Sequence, residues 1–145
     1  MKKITILLLT ALFFTLSAAQ AGNMGKGQFM KLMAHANPVP NYVSVISKNS
    51  QELKLSEAQM AQVMEWRNQN HSKMHEMVMS VIEGEKKMAQ ASLDGVSADE
   101  INSMAEAVSK TRLMIIAGKT RCRDRMMEIL DDAQWSQVTA MVAAK

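Results

Sequence analysis

Cysteine, strand-forming runs and catalytic motifs are scarce or missing in this chain. Its 145 residues include a single cysteine, Cys122, which excludes an intramolecular disulfide. Aromatic residues make up only 4% of the chain, and runs of β-branched residues bounded by turn dipeptides at strand spacing are absent. There is also no glycine-rich phosphate loop, paired catalytic carboxylates or nucleophile–base arrangement. The sequence therefore predicts an all-α protein that is not an enzyme.

Long hydrophobic runs are missing except at the N-terminus, where Ile4 to Leu16 form an apolar stretch too short to span a bilayer. Lys2 and Lys3 precede it, and Ala19-Gln20-Ala21 supplies small residues for cleavage. This arrangement predicts a signal peptide over residues 1–21, cleaved near Ala21, with no following cysteine for a lipid anchor. We expect an exported protein, periplasmic in a host with two membranes and not embedded in the membrane.

The net charge of +3 owes much to Lys2 and Lys3 of this leader. The mature chain is therefore almost neutral, and its charge gives no support for a nucleic-acid partner. What the chain has in abundance is methionine, with 15 residues.

The mature chain is predicted to be a flexible N-terminal arm with a proline elbow, residues 22–41, followed by one helical domain, residues 42–145. The domain begins with a short helix from about Tyr42 to Lys48. Two long helices follow, from the Ser56 cap to about Ser92 and from Ser97 to Ile129, with Gly84 as a weak or kinked point. Asp94-Gly95 is a turn.

Because the link at Asp94-Gly95 is short, the two long helices must form an antiparallel hairpin, with a final helix after Asp131. Their apolar stripes, with a 3.6-residue period, are Met60, Val63, Met64, Met74, Val78, Val81 and Met88, then Ile101, Met104, Val108, Ile115, Cys122, Met126 and Ile129. A two-helix hairpin buries little core, so a homodimer is expected.

Two segments repeat one pattern: Leu55-Ser56-Glu57-Ala58-Gln59 and Leu130-Asp131-Asp132-Ala133-Gln134. Ser56 and Asp131 are predicted N-caps, and Gln59 and Gln134 can complete capping boxes by returning to the caps' backbone N–H. The leucines would form hydrophobic staples with Met60 and Trp135. Ser97 to Glu100 predicts a third capping box.

These paired Leu-cap-x-x-Gln segments, with the export signal, the methionines and the helical hairpin, resemble the Spy/CpxP family of periplasmic LTxxQ-motif proteins. The resemblance covers about residues 40–145 and carries over Leu55, Ser56, Gln59, Leu130, Asp131 and Gln134. Ser56 and Asp131 replace the family's threonine, although both are good caps.

The resemblance implies a cradle-shaped antiparallel homodimer. Its implied function is that of an ATP-independent chaperone for unfolded client proteins, or of an envelope-stress modulator acting on a membrane sensor protein. The zinc-resistance and CnrX-type relatives imply the alternative, a heavy-metal sensor or resistance protein for copper, zinc or nickel/cobalt.

Potential metal ligands are densest at His71, Met74, His75 and Met79. Imidazoles four residues apart project from one helix face, and imidazole with thioether suits late transition metals. Further ligands would come from Glu76, His35 or another chain. The alternative is an ordinary helix surface beside a methionine core stripe.

Cys122 lies among Arg121, Arg123 and Arg125, which would lower the pKa of an exposed thiol. Its place on the apolar stripe instead predicts a buried structural thiol, and a redox role, an intermolecular disulfide or metal ligation stay open. The methionines either fill the core or provide an adaptable binding surface for varied apolar partners.

Overall fold

The computed structural model of the protein describes residues 38–144, and the predicted signal peptide, most of the N-terminal arm and His35 lie outside them. Within the described range the chain forms four α-helices and no strand, which confirms the all-α prediction. The helices are α1 (Tyr42–Lys48), α2 (Glu57–Leu93), α3 (Ala98–Ile129) and α4 (Asp132–Ala143).

Each helix begins at a polar side chain that accepts a hydrogen bond from a backbone N–H of the first turn. Asn41, Ser56, Ser97 and Asp131 are these N-caps. The third capping box predicted at Ser97 forms only in part. Ser97 accepts from the Glu100 N–H, but the Glu100 carboxylate accepts from the Ser97 hydroxyl rather than from its backbone. An exposed carboxylate takes this donor because the hydroxyl can rotate toward it.

The link between α2 and α3 is a tight glycine-based helix end. Gly95 has a φ of 71°, in the left-handed region that glycine adopts at little cost. The Val96 N–H donates to the Ala91 carbonyl and the Gly95 N–H to the Ser92 carbonyl, which is the Schellman arrangement. The link reverses the chain, so α2 and α3 form the predicted antiparallel hairpin.

The two long helices meet along a seam with a seven-residue repeat rather than the predicted 3.6-residue period. Steps of three and four residues connect the buried and half-buried positions of each helix, as in a coiled coil. Met104 falls beside this seam, one step before Ala105, and is exposed, contrary to its predicted place on the stripe. The seam residues are Asn70, Met74, Met77, Val81, Gly84, Met88 and Ala91 on α2, and Ile101, Ala105, Val108, Arg112, Ile115, Lys119, Cys122, Met126 and Ile129 on α3.

Two glycines let the hairpin helices approach closely. A Cβ at Gly84 would lie 2.6 Å from Cγ2 of Val108, and one at Gly118 would lie 2.9 Å from Cε of Met74. α2 continues without a break through Gly84. Gly84, predicted as a weak or kinked point, is therefore a packing position. Its missing side chain lowers the helix propensity but permits the close contact with α3.

The main core lies at one end of the hairpin, which we call the base. There α1 and α4 pack against the first turns of α2 and the last turns of α3, and Tyr42 and Trp135 place their ring centroids 5.2 Å apart. The rest of the hairpin, residues 70–118, is called the distal hairpin; only Val81, Ala91 and Ile115 are fully buried in it. The base core comprises Val43, Val45, Ile46, Leu53, Val63, Met126, Ile129, Leu130 and Val138.

Candidate functional site

The two repeated motifs meet in the base, where Gln59 and Gln134 form a reciprocal pair. Both predicted capping boxes are present, at Ser56 and at Asp131. In addition, Nε2 of Gln59 donates to Oε1 of Gln134 at 2.8 Å, and Nε2 of Gln134 donates back to Oε1 of Gln59 at 3.2 Å. We call this arrangement the glutamine pair.

Each amide of the glutamine pair also donates to a backbone carbonyl just before the opposite motif. Nε2 of Gln59 donates to the Ile129 carbonyl at 3.0 Å, and Nε2 of Gln134 donates to the Leu53 carbonyl at 3.2 Å. Gln134 is only 8% exposed, so its amide has given up water for these partners. A buried amide whose hydrogen bonds are all made is stabilising, and one with bonds missing is costly. The glutamine pair therefore stabilises the contact between the two motifs.

The sequence predicted both capping boxes but not the contact between them. The similarity of the two segments was the available signal. Equivalent glutamines that can still form hydrogen bonds after capping their helices can pair with each other. The six motif residues thus have a structural role in the base.

His71 and His75 are the predicted ligands that the structure places side by side. Both are exposed on α2, with ring centroids 6.4 Å apart and ring planes within 2° of parallel. Among residues 38–144 no group of three or more histidine, cysteine, aspartate or glutamate side chains is placed to hold a metal ion. The two imidazoles by themselves supply two ligands of a metal site.

The two methionines predicted to join the histidines have different surroundings. The methyl end of Met74 lies against Gly118 in the seam between α2 and α3. Met79, one turn beyond His75, is exposed. Met74 is thus a packing residue, as its place on the apolar stripe indicated, while Met79 remains accessible.

Cys122 is half-buried at the edge of the base core, beside Trp66. Burial raises the pKa of its thiol, and the nearby Val43 backbone, Trp66 side chain and Lys119 offset only part of this effect. The lowered pKa considered for an exposed thiol beside the flanking arginines does not apply, because the thiol is half-buried and desolvation dominates. The position agrees with a structural thiol.

Lys119 anchors the segment before α1 to the middle of the hairpin. Its Nζ donates to the Val39 carbonyl at 2.7 Å, and burial lowers the pKa of its ammonium group. The proline elbow is therefore attached to α3 at this point.

The distal hairpin carries several large apolar side chains on its surface. Since Met74 faces Gly118 and Gly84 faces Val108, Met79 lies at the same level of the antiparallel hairpin as Leu113 and Met114. All three are exposed, and Leu113 is 67% exposed. Each of them lies away from the seam, on the outer side of its own helix, and we call these three residues the apolar belt. Leu93, Met104 and Met127 are further exposed apolar side chains.

Comparison with known proteins adds no relative. No family model matches the chain, and neither a curated protein nor a solved structure matches it. Among the helices of residues 38–144, none combines the length and apolar character that crossing a membrane requires.

Proposed function

We propose that the protein is an ATP-independent chaperone or envelope-stress modulator of the Spy/CpxP type, exported to the periplasm and working as a homodimer. The observation that carries this proposal is the exposed apolar belt, Met79, Leu113 and Met114, on a hairpin with little core of its own. The paired Leu-cap-x-x-Gln motifs support it through the resemblance in sequence.

The apolar belt offers apolar side chains to clients on the outer sides of both long helices. Leu113, at 67% exposed, and the two methionines can contact an apolar partner directly, although single exposed apolar residues are common on any protein. Methionine is unbranched and polarisable, so Met79 and Met114 can adapt to different apolar partners.

Charged residues of both signs lie within two helical turns of the apolar belt on the same helices. Lys110 is exposed on α3, and Glu83 and Lys86 are exposed on α2. Such charges attract partly unfolded chains before apolar contact is made, and they act mainly on the rate of encounter.

Replacing Leu113 and Met114 by glutamine should weaken client binding without unfolding the hairpin. Removal of these apolar contacts should raise the concentration that half-suppresses aggregation by roughly five- to tenfold, or ~1–1.4 kcal/mol. The measurement is light scattering of an unrelated aggregating protein without ATP. A matched control, Asn102→Gln with Ser109→Gln, changes two exposed uncharged polar residues of α3 and leaves the net charge unaltered. Suppression unaffected by the L113Q/M114Q pair, or absent in the parent protein at excess, would refute the proposal.

The parallel, exposed imidazoles of His71 and His75 favour a second candidate function, binding of copper, zinc or nickel/cobalt in a metal-sensing or resistance role. Two histidines at this spacing can share one metal ion, with remaining ligands from Met79, from Glu76 or from another chain.

The H71A/H75A double variant should lose at least about tenfold in affinity for the preferred metal, since even ligand-orienting groups have effects of this size. Titration with Cu(I), Cu(II), Zn(II) and Ni(II) measures this, and S72A/S80A on the same helix is the control. Equal affinity in parent and double variant would remove both histidines from any metal site.

A further inference from the structure

We propose that Met79, Met104, Met114 and Met127 are four sites of reversible oxidation by two-electron oxidants such as hypochlorous acid. Their conversion to sulfoxides would make the surface of the hairpin polar while leaving the fold intact. Oxidation of these methionines follows from their exposure and packing, whereas its effect on client binding rests on the proposed function.

The methionines of the described chain fall into three classes of exposure, with four exposed, six half-buried and only Met126 buried. Met127, Met114, Met79 and Met104 are 48%, 46%, 39% and 36% exposed, whereas Met126 is 0% exposed. Because sulfoxidation needs direct access of the oxidant to sulfur, it follows accessibility. The neighbours Met126 and Met127 give an internal comparison with almost the same local sequence.

Packing protects Met74 in the same way. Its methyl group lies against Gly118, only 2.9 Å from where a Cβ would stand. Met74 is half-buried, so the oxidant reaches its sulfur less readily than that of the four exposed methionines, and a sulfoxide oxygen there would need space and a hydrogen-bond partner in the seam.

The reaction at each exposed methionine is balanced with hypochlorous acid as the oxidant. One S–O bond forms and the O–Cl bond breaks, so the thioether sulfur is oxidised by two electrons while chlorine leaves as chloride with a proton. A thiol-dependent sulfoxide reductase reverses the change, consuming two thiols and releasing water.

The fold should tolerate this change because the four methionines lie outside the base core. Client binding should be lost, since two of the three residues of the apolar belt would become polar sulfoxides. Cys122 is a weaker competitor for the oxidant, because its half-buried thiol has a raised pKa and remains protonated.

The first test maps oxidation along the protein treated with limiting hypochlorous acid, using peptide fragmentation by mass spectrometry. Met127 should react at least about tenfold faster than Met126, and Met79, Met104 and Met114 faster than Met74, following access to sulfur. In guanidinium these differences should disappear. Similar rates for Met126 and Met127 in the folded protein, or loss of the helical circular dichroism as the four react, would overturn the oxidation site.

The second test links oxidation to client binding. Oxidised parent protein should lose suppression of aggregation and regain it after sulfoxide reductase treatment, whereas a variant with leucine at all four positions should keep it under the same oxidant. Equal loss in the leucine variant would place the responsible oxidation elsewhere. If the untreated parent suppresses nothing, the proposed function fails, while the mapping still decides the oxidation site.

Discussion

Gln134→Ala should lower the free energy of unfolding by about 2–4 kcal/mol, the largest expected loss for a single polar substitution in the base. The substitution removes the return bond of the Asp131 capping box, worth up to about 1 kcal/mol. It also removes the bonds that Gln134 makes with the Gln59 amide, which keeps only the Ile129 carbonyl and the Ser56 N–H, and it takes the amide donor from the Leu53 carbonyl, at about 1–3 kcal/mol for a buried group. Urea unfolding followed by circular dichroism measures the change.

Gln137→Ala is the matched control, because Gln137 is exposed on the same helix, and its effect should stay within about 0.5 kcal/mol. A double-mutant cycle with Gln59→Ala should give a coupling energy of about 1–2 kcal/mol, as expected for side chains in direct contact. Additive losses from the two single variants would mean that each glutamine acts only on its own helix.

Gly84→Ala should destabilise the protein by about 1–3 kcal/mol, although alanine is the better helix former by about 1 kcal/mol. The added Cβ would stand 2.6 Å from Cγ2 of Val108. That side chain is branched at Cβ and has little rotational freedom, so relief requires α2 and α3 to move apart. Thermal unfolding measures the loss.

Gly118→Ala is the informative comparison, because the same kind of substitution meets a different neighbour. Its Cβ would stand 2.9 Å from the methyl end of Met74, which three side-chain torsions can move aside. The change at Gly118 should therefore be close to neutral. Val108→Ala should reduce the cost of Gly84→Ala when the two are combined, and a cost unchanged by that second substitution would rule out the steric explanation.

The helices were predictable because their signals are local. Asn41, Ser56, Ser97 and Asp131 each cap a helix through groups within three residues, and the glycine turn at Gly95 acts within the same range. The antiparallel hairpin follows from the short link. Its seven-residue seam was harder to recognise, because methionines and alanines also occur beside the seam.

The contacts between distant segments were not predictable from one sequence. Gln59 and Gln134 are 75 residues apart, and only the folded base shows that their capping boxes share hydrogen bonds. The packing role of Gly84 likewise depends on Val108 across the hairpin. At the candidate metal site, the sequence correctly placed the imidazoles of His71 and His75 on one face of the helix. The contact of Met74 with Gly118 could be seen only in the tertiary structure.

The turn at Gly95 also affects the order in which the molecule can fold. Contacts near this turn join residues that are close together in the chain, so the entropic cost of closing each loop is low. The distal hairpin can therefore form first and extend toward the base. By the time Gln59 meets Gln134, most of the intervening chain is already ordered, and the two ends need close only a short remaining loop. The distal hairpin thus contributes little buried surface to the native state but lowers the kinetic barrier to assembling the base.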